Sequence, residues 1–313
     1  MIYMSLDRYR GSILGLAVGD ALGAPVEFKR PGSFEPVTGM SSGGAFGLRP
    51  GQWTDDTSLA LCLAESLVET NGFDLIDQLD RYVRWYREGH LSSTGACFDI
   101  GNTTEMALTR YEATKDPYSG PTDPSTAGNG SIMRLVSVPL AYAKDFATAV
   151  ERSGESSKTT HGALEAVDSC RYLGGLIAAS VTGVEKTEFL SNRYSQQPGY
   201  WTENPLCEKV DAIADGSFKE KSPPEIKGSG YVIDCLEAAL WAFYKTDSFR
   251  EGCLLAVNLG DDADTTGAVY GQLAGAYYGA SGIPKDWLQD LTLGSLVQSF
   301  ADRLYEMAGS ISP

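Results

Sequence analysis

The stretch LGDDADTTGAVYGQLAGAYYG, residues 259–279, carries two patterns at once. Its first half places three carboxylates within four residues, Asp261, Asp262 and Asp264, followed by Thr265. Its second half repeats glycine at every fourth position, at Gly267, Gly271, Gly275 and Gly279. Each glycine costs a helix interior up to about 1 kcal/mol relative to alanine, so a helix built on such a stripe needs a return. Residues four apart share a helix face, and a face of glycines lets a neighbouring backbone come close. Near the N-terminus Gly11, Gly15, Gly19 and Gly23 repeat the pattern. The two stripes predict two closely packed central helices, with whatever they carry near the middle of the fold.

Working outward, most apolar residues recur at three and four rather than at two. Helical runs are predicted over 57–68, 73–86, 103–111, 132–144, 160–181, 204–215, 231–244, 249–258, 265–278 and 287–307. Strand alternation is scarcely visible, and no composition break marks a linker. The expectation is an all-α protein with residues 1–313 in a single domain. Connections over 29–54, 113–130, 191–204 and 218–230 are long for plain helix–helix links, where about 4–6 residues is usual. Long ordered loops often form a binding mouth.

The 313 residues hold 41 Asp and Glu against 25 Lys and Arg, a formal net charge of −16, and only two histidines. With 42% hydrophobic residues, disorder is excluded as the main state. A backbone-binding nucleic-acid surface needs positive charge that this chain lacks in bulk. A three-histidine metal site is impossible, so oxygen ligands must dominate any metal centre. No run approaches 18 uncharged apolar residues, which excludes a membrane helix. The six cysteines lie at least 18 residues apart, so no CxxC metal or redox site exists. A reduced, cytoplasmic protein is the simple expectation.

The acidity concentrates at two helix starts. One is Gly51-Gln52-Trp53-Thr54-Asp55-Asp56-Thr57, the other Gly260 to Gly267. Capping could explain an isolated Thr-Asp-Asp, but converging carboxylates repel one another unless a cation intervenes. Carboxylate and hydroxyl oxygens suit Mg²⁺ or Mn²⁺. A two-metal centre with Thr54, Asp55 and Asp56 on one side and Asp262, Asp264 and Thr265 on the other could activate a water. Glu27 follows the first glycine helix, and Asp99 lies in the apolar-flanked segment 92–102. The turn Gly128-Asn129-Gly130-Ser131-Ile132-Met133-Arg134 exposes backbone N–H groups able to hold phosphate, but lacks the P-loop ending. His161 is one of only two histidines, and no nucleophile elbow is present.

These residues carry a family resemblance. GDALGAPVEF, GQWTDDTSLAL, SSTGACFDIGN, GNGSIMR, TTHG, GSGYV and LGDDADTTGAVYGQLAGAYYG occur in order. Together they resemble the ADP-ribosylglycohydrolases, above all the bacterial dinitrogenase reductase-activating branch. The resemblance runs from the first helix to about Tyr278. It implies a compact orthogonal helical bundle around a binuclear centre of two divalent cations, Mg²⁺ or Mn²⁺, held by the six residues just named. It implies that Asp99 or Glu27 assists proton transfer. Gly128, Asn129, Gly130, Ser131 and Met133 would hold diphosphate or ribose, while His161, Gly230 and Tyr231 would line the mouth. The implied reaction is hydrolysis of the N-glycosidic bond between ADP-ribose and a protein arginine by a monomeric enzyme. The alternatives are an O-linked (serine) or other ADP-ribosyl conjugate, a metal-dependent phosphohydrolase, or a noncatalytic ADP-ribose binder.

Overall fold

The computed structural model describes residues 4–310. Among them the chain forms fifteen α-helices and no sheet. The first seven are α1 (Leu6–Gly23), α2 (Asp55–Thr70), α3 (Leu75–Glu88), α4 (Asn102–Thr114), α5 (Ser137–Ala141), α6 (Phe146–Lys158) and α7 (Leu164–Val181). Three short ones follow, α8 (Lys186–Phe189), α9 (Tyr200–Glu203) and α10 (Glu208–Ala214). The chain ends with α11 (Val232–Lys245), α12 (Phe249–Val257), α13 (Ala263–Tyr278), α14 (Lys285–Asp290) and α15 (Gly294–Ser310).

The two glycine stripes meet. A Cβ at Gly11 would overlap the Gly275 carbonyl, one at Gly15 the Gly271 carbonyl, and one at Gly19 the Gly267 carbonyl. Rising numbers in α1 pair with falling numbers in α13, so the helices run antiparallel in backbone contact. Gly279 closes the seam: it takes φ 75°, ends α13, and its backbone lies against Gly11 beside Gly275. The Ser12 hydroxyl donates to the Gln272 carbonyl across the seam at 2.8 Å. Both helices are buried almost throughout. The antiparallel pairing brings the acidic start of α13 to the C-terminal end of α1, beside Asp20 and Glu27.

Two predicted helices differ, and one longer helix lies outside the predicted runs. The run over 132–144 forms only α5, with turns from 131 to 136. Pro139 lacks the N–H that a helix extended upstream would direct at the Leu135 carbonyl. The helix α6 falls between two predicted runs, in a stretch that holds Ser153, Gly154, Ser156 and Ser157. It is capped by the Asp145 carboxylate, which accepts from Thr148 N at 3.2 Å, and buries Phe146, Ala149 and Val150. The run over 287–307 is broken into α14 and α15, with Leu293 at φ 54°. At the break Thr292 N donates to the Gly51 carbonyl (2.9 Å), and Trp53 Nε1 donates to the Thr292 carbonyl (3.0 Å). The C-terminal segment thereby grips the loop that leads into α2.

Candidate active site

The start of α2 is organised by a residue on α1. Asp20 is fully buried, and its carboxylate accepts four hydrogen bonds. Oδ1 takes the Thr54 N–H (2.9 Å) and hydroxyl (3.0 Å), while Oδ2 takes the Thr57 N–H (3.0 Å) and hydroxyl (2.6 Å). These bonds satisfy donors at the start of α2 that have no partner within the helix. Burial raises the Asp20 pKa to about 6, against the lowering effect of those same bonds. Sequence reasoning passed over Asp20 and Thr57. The available signal was a carboxylate inside an otherwise apolar, glycine-striped helix.

From this anchored start Asp55 and Asp56 face the N-terminus of α13, where Asp264 and Thr265 are also buried. Thr54 Oγ1 lies 3.3 Å from both Asp56 Oδ2 and Asp264 Oδ2, and Thr265 Oγ1 lies 3.5 Å from Asp56 Oδ2. Ligand oxygens of Glu27, Asp262 and Asp264 lie within 4.8 Å of one another. The loops that carry them are cross-tied: Phe28 N donates to the Asp261 carbonyl and Asp261 N to the Lys29 carbonyl, each at 2.7 Å. Phe28, Asp99 and Asp261 all adopt positive φ, between 57° and 62°. For non-glycine residues this is uncommon, and here all three line one cleft.

The cleft has a volume of about 490 Å³. Glu27, Asp55, Asp56, Asp262, Asp264 and Thr265 line one wall. Gly128, Asn129, Gly130, Met133, His161 and Gly230 line the other, with Asp99 also at the surface of the cavity. Three expected residues stand apart from it. Thr54 is wholly buried beneath Asp56. Ser131 turns its hydroxyl away, accepting from Ser157 Oγ at 2.9 Å. Tyr231 belongs to an adjoining cavity of about 610 Å³ that shares Thr103, Gly128 and Gly230 with the cleft. Its hydroxyl lies 2.6 Å from Glu165 and 2.7 Å from Lys209. Phe28, Asn102 and Asp261 also line the cleft; each lies in a motif quoted above but was given no role there, and Thr103 lies just past one.

Charge in this cleft is strongly perturbed. Burial, then Asp99, Asp262 and Asp56, push Glu27 up to about 10. Burial, with Asp20 and Asp262, raises Asp99 to about 7. Burial and mutual repulsion hold Asp55, Asp56 and Asp264 well above the usual carboxylate range. Glu27 Oε2, Asp56 Oδ1 and Asp264 Oδ1 are buried and have no hydrogen-bond partner. A buried carboxylate oxygen without a donor is expensive. An all-oxygen set of this kind fits a divalent cation such as Mg²⁺ or Mn²⁺.

The opposite wall is held from behind. Gln272 Nε2, on α13, donates to the Ile132 (2.9 Å) and Met133 (2.8 Å) carbonyls. Asn129 N donates to the Gly230 carbonyl at 3.1 Å, and Asn129 Nδ2 to Asp262 Oδ2 at 2.8 Å, which joins the two walls. The His161 ring lies against Gly128 and Gly130, and burial lowers its pKa to about 3.

The sequence model of the family described as ADP-ribosylglycohydrolase matches residues 3–312. This chain belongs to the ADP-ribosylglycohydrolase family. It is 43% identical over 304 residues to the ADP-ribosylarginine hydrolase Tri1 of Serratia proteamaculans, covering 97% of this chain and 80% of that protein. It is 32% identical over 314 residues to the ADP-ribosyl-[dinitrogen reductase] glycohydrolase of Rhodospirillum rubrum, covering 97% of each chain. Among solved structures, one described as an ADP-ribosylglycohydrolase-related protein complex matches with a TM-score of 0.85 and 46% identity, covering 97% of this chain and 98% of that one. The all-α fold and the hydrolytic class of this ADP-ribosylglycohydrolase follow from that membership: it is an enzyme that hydrolyses ADP-ribosyl conjugates. No helix among its described residues is long and apolar enough to cross a membrane.

Proposed function

We propose that this glycohydrolase removes ADP-ribose from arginine side chains of proteins in a reaction that depends on divalent cations. The observation that carries the proposal is the cleft itself. Unpartnered buried oxygens of Glu27, Asp56 and Asp264 stand on one wall, and a glycine turn with free backbone donors stands on the other. The names of the relatives at 43% and 42% identity, both ADP-ribosylarginine hydrolases, support the arginine linkage.

In this reading Thr54, Asp55 and Asp56 from the start of α2, with Asp262, Asp264 and Thr265 from the start of α13, hold two cations, Mg²⁺ or Mn²⁺. Bound there, divalent cations supply electrostatic stabilisation and lower the pKa of water. The chain does the rest. Asp20 fixes the ligand loop through Thr54 and Thr57. Gly128 to Met133 orient the diphosphate and ribose, and His161, Gly230 and Tyr231 shape the mouth. Asp99 takes the proton of the attacking water and returns it to the departing guanidine nitrogen. The new C–O bond thereby replaces the C–N bond, and the products are ADP-ribose and arginine. Glu27, on the same cleft and held protonated by burial and the neighbouring carboxylates, is placed to share that transfer. Its position beside the cluster also favours a second reading, hydrolysis of O-linked ADP-ribose on serine.

The deciding experiment offers peptides carrying arginine-linked or serine-linked ADP-ribose to the chelated enzyme, with Mg²⁺ or Mn²⁺ added back. Release of ADP-ribose from the arginine peptide only when metal is restored is the expected result. Release from the serine peptide alone would move the assignment to the second reading. Metal-independent turnover would remove the cations from the mechanism. We place the enzyme in the cytoplasm as a monomer acting through one domain. The six unpaired cysteines support a reducing location.

A further inference from the structure

Arg134 is 1% exposed, and no carboxylate lies within ion-pair distance of it among the described residues. Its guanidinium donates only to neutral oxygens: the Gly130 carbonyl (2.6 Å), Tyr82 Oη (3.2 Å), Thr159 Oγ1 (3.2 Å) and Thr160 Oγ1 (2.7 Å). Its carbon lies 4.7 Å from the centre of the Tyr82 ring. The titratable groups around it bring no negative charge at neutral pH. Burial lowers His161 to about 3, and raises Tyr82, Cys62 and Cys170. A buried cation without a counter-charge is costly and persists where something offsets it.

The bond to the Gly130 carbonyl shows where the offset lies. In a trans peptide the C=O and the following N–H point in opposite directions. Arg134 draws the Gly130 carbonyl toward the interior, so the Ser131 N–H is turned the other way, toward the wall that Gly130 presents to the cleft. The N–H groups of Gly130 and Ser131 have no acceptor within the described protein. The same guanidinium binds Thr160 Oγ1, which lies 2.9 Å from His161 Nδ1, so one cation sets both the turn and the histidine beside it.

We infer that Arg134 is a positioning residue whose missing counter-charge is the diphosphate of the ligand, held on the far side of the Gly130–Ser131 peptide. In a protein of net charge −16 it is a fixed positive charge, supplied by the chain itself, behind the wall that would meet the diphosphate. The assignment rests on ADP-ribose being the ligand of the cleft.

The test compares binding of ADP-ribose with binding of an analogue whose diphosphate is replaced by an uncharged linker, by calorimetry and competition on the full chain. In Arg134→Met the Kd for ADP-ribose rises at least about tenfold and that for the neutral analogue changes less than about twofold. Arg134→Lys, which keeps the charge, restores most of the ADP-ribose affinity. Because Arg134→Met could unfold the turn, Thr159→Asp is made in parallel. It leaves Arg134 in place and gives it an internal counter-ion, so the fold is kept while ADP-ribose binding weakens by the same factor. Equal losses for both ligands, or undiminished ADP-ribose binding in Thr159→Asp, would overturn the assignment. A wild-type protein that binds neither ligand would instead sink the ADP-ribose reading.

Discussion

Asp20 accepts both the backbone N–H and the hydroxyl of Thr54 on one carboxylate oxygen, at 2.9 and 3.0 Å. A residue of the first helix therefore shapes the start of the second, 34 positions later, and with it the angle at which Asp55 and Asp56 enter the cleft. Asp20→Ala strips four hydrogen bonds and leaves buried N–H groups unpaired. We expect about 3 kcal/mol or more of lost stability, together with weaker metal binding. Asp20→Asn, which keeps one good acceptor, should lose less on both counts. Urea unfolding and metal titration of the two variants check this.

The seam between α1 and α13 leaves no room for a methyl group. Gly271→Ala would drive a Cβ into the Gly15 carbonyl, and we expect about 3 kcal/mol of destabilisation with loss of activity. Gly309→Ala, on α15, meets nothing within 4 Å. It should be neutral or stabilising by up to about 1 kcal/mol. Chemical denaturation of the pair separates a packing requirement from a general cost of added side chains.

Asp56 carries an unpartnered buried oxygen, so its carboxylate serves function at the expense of the metal-free fold. Asp56→Asn should raise metal-free stability by about 1 kcal/mol while abolishing metal-dependent turnover. Melting curves in chelator and in Mn²⁺ give the check: the wild type gains from metal and the variant does not. Asp99→Asn is expected to lower kcat about 10²- to 10⁴-fold with metal affinity retained.

His161 gives a pH signature. Its folded pKa, lowered to about 3 by burial and then by Arg134, lies below the unfolded value of about 6.5. Above about pH 6.5 the ring is neutral in both states and adds no dependence. Below it the unfolded chain binds a proton that the native chain refuses, so stability falls by up to about 1.4 kcal/mol per pH unit until about pH 3. His161→Gln removes that component, and the slope of unfolding free energy between pH 4 and 6 should be shallower by that amount.

Much of this was legible in the residues because the signals are local. Glycines four apart declare a seam, and carboxylates clustered at Thr54–Asp56 and Asp262–Thr265 declare a charged site. What escaped was long-range. Asp20 reads as a lone acid until Thr54 and Thr57 are seen donating to it. Arg134 reads only as the last residue of the glycine turn until its neutral partners are counted. The helix α6 has poor intrinsic propensity and is held by its buried face, and the break at 291–293 follows from pairing with Gly51 and Trp53 rather than from any proline.

That last pairing bears on how the enzyme comes into being. Trp53 and Thr292 are 239 positions apart. A nascent chain halted before Thr292 already owns every acidic side chain of the cleft, yet Gly51 and Trp53, at the head of the loop that presents Thr54 to Asp56, each lack a partner. Activity should therefore switch on late in synthesis, and the final helices act as a seal of completeness for a site they never touch.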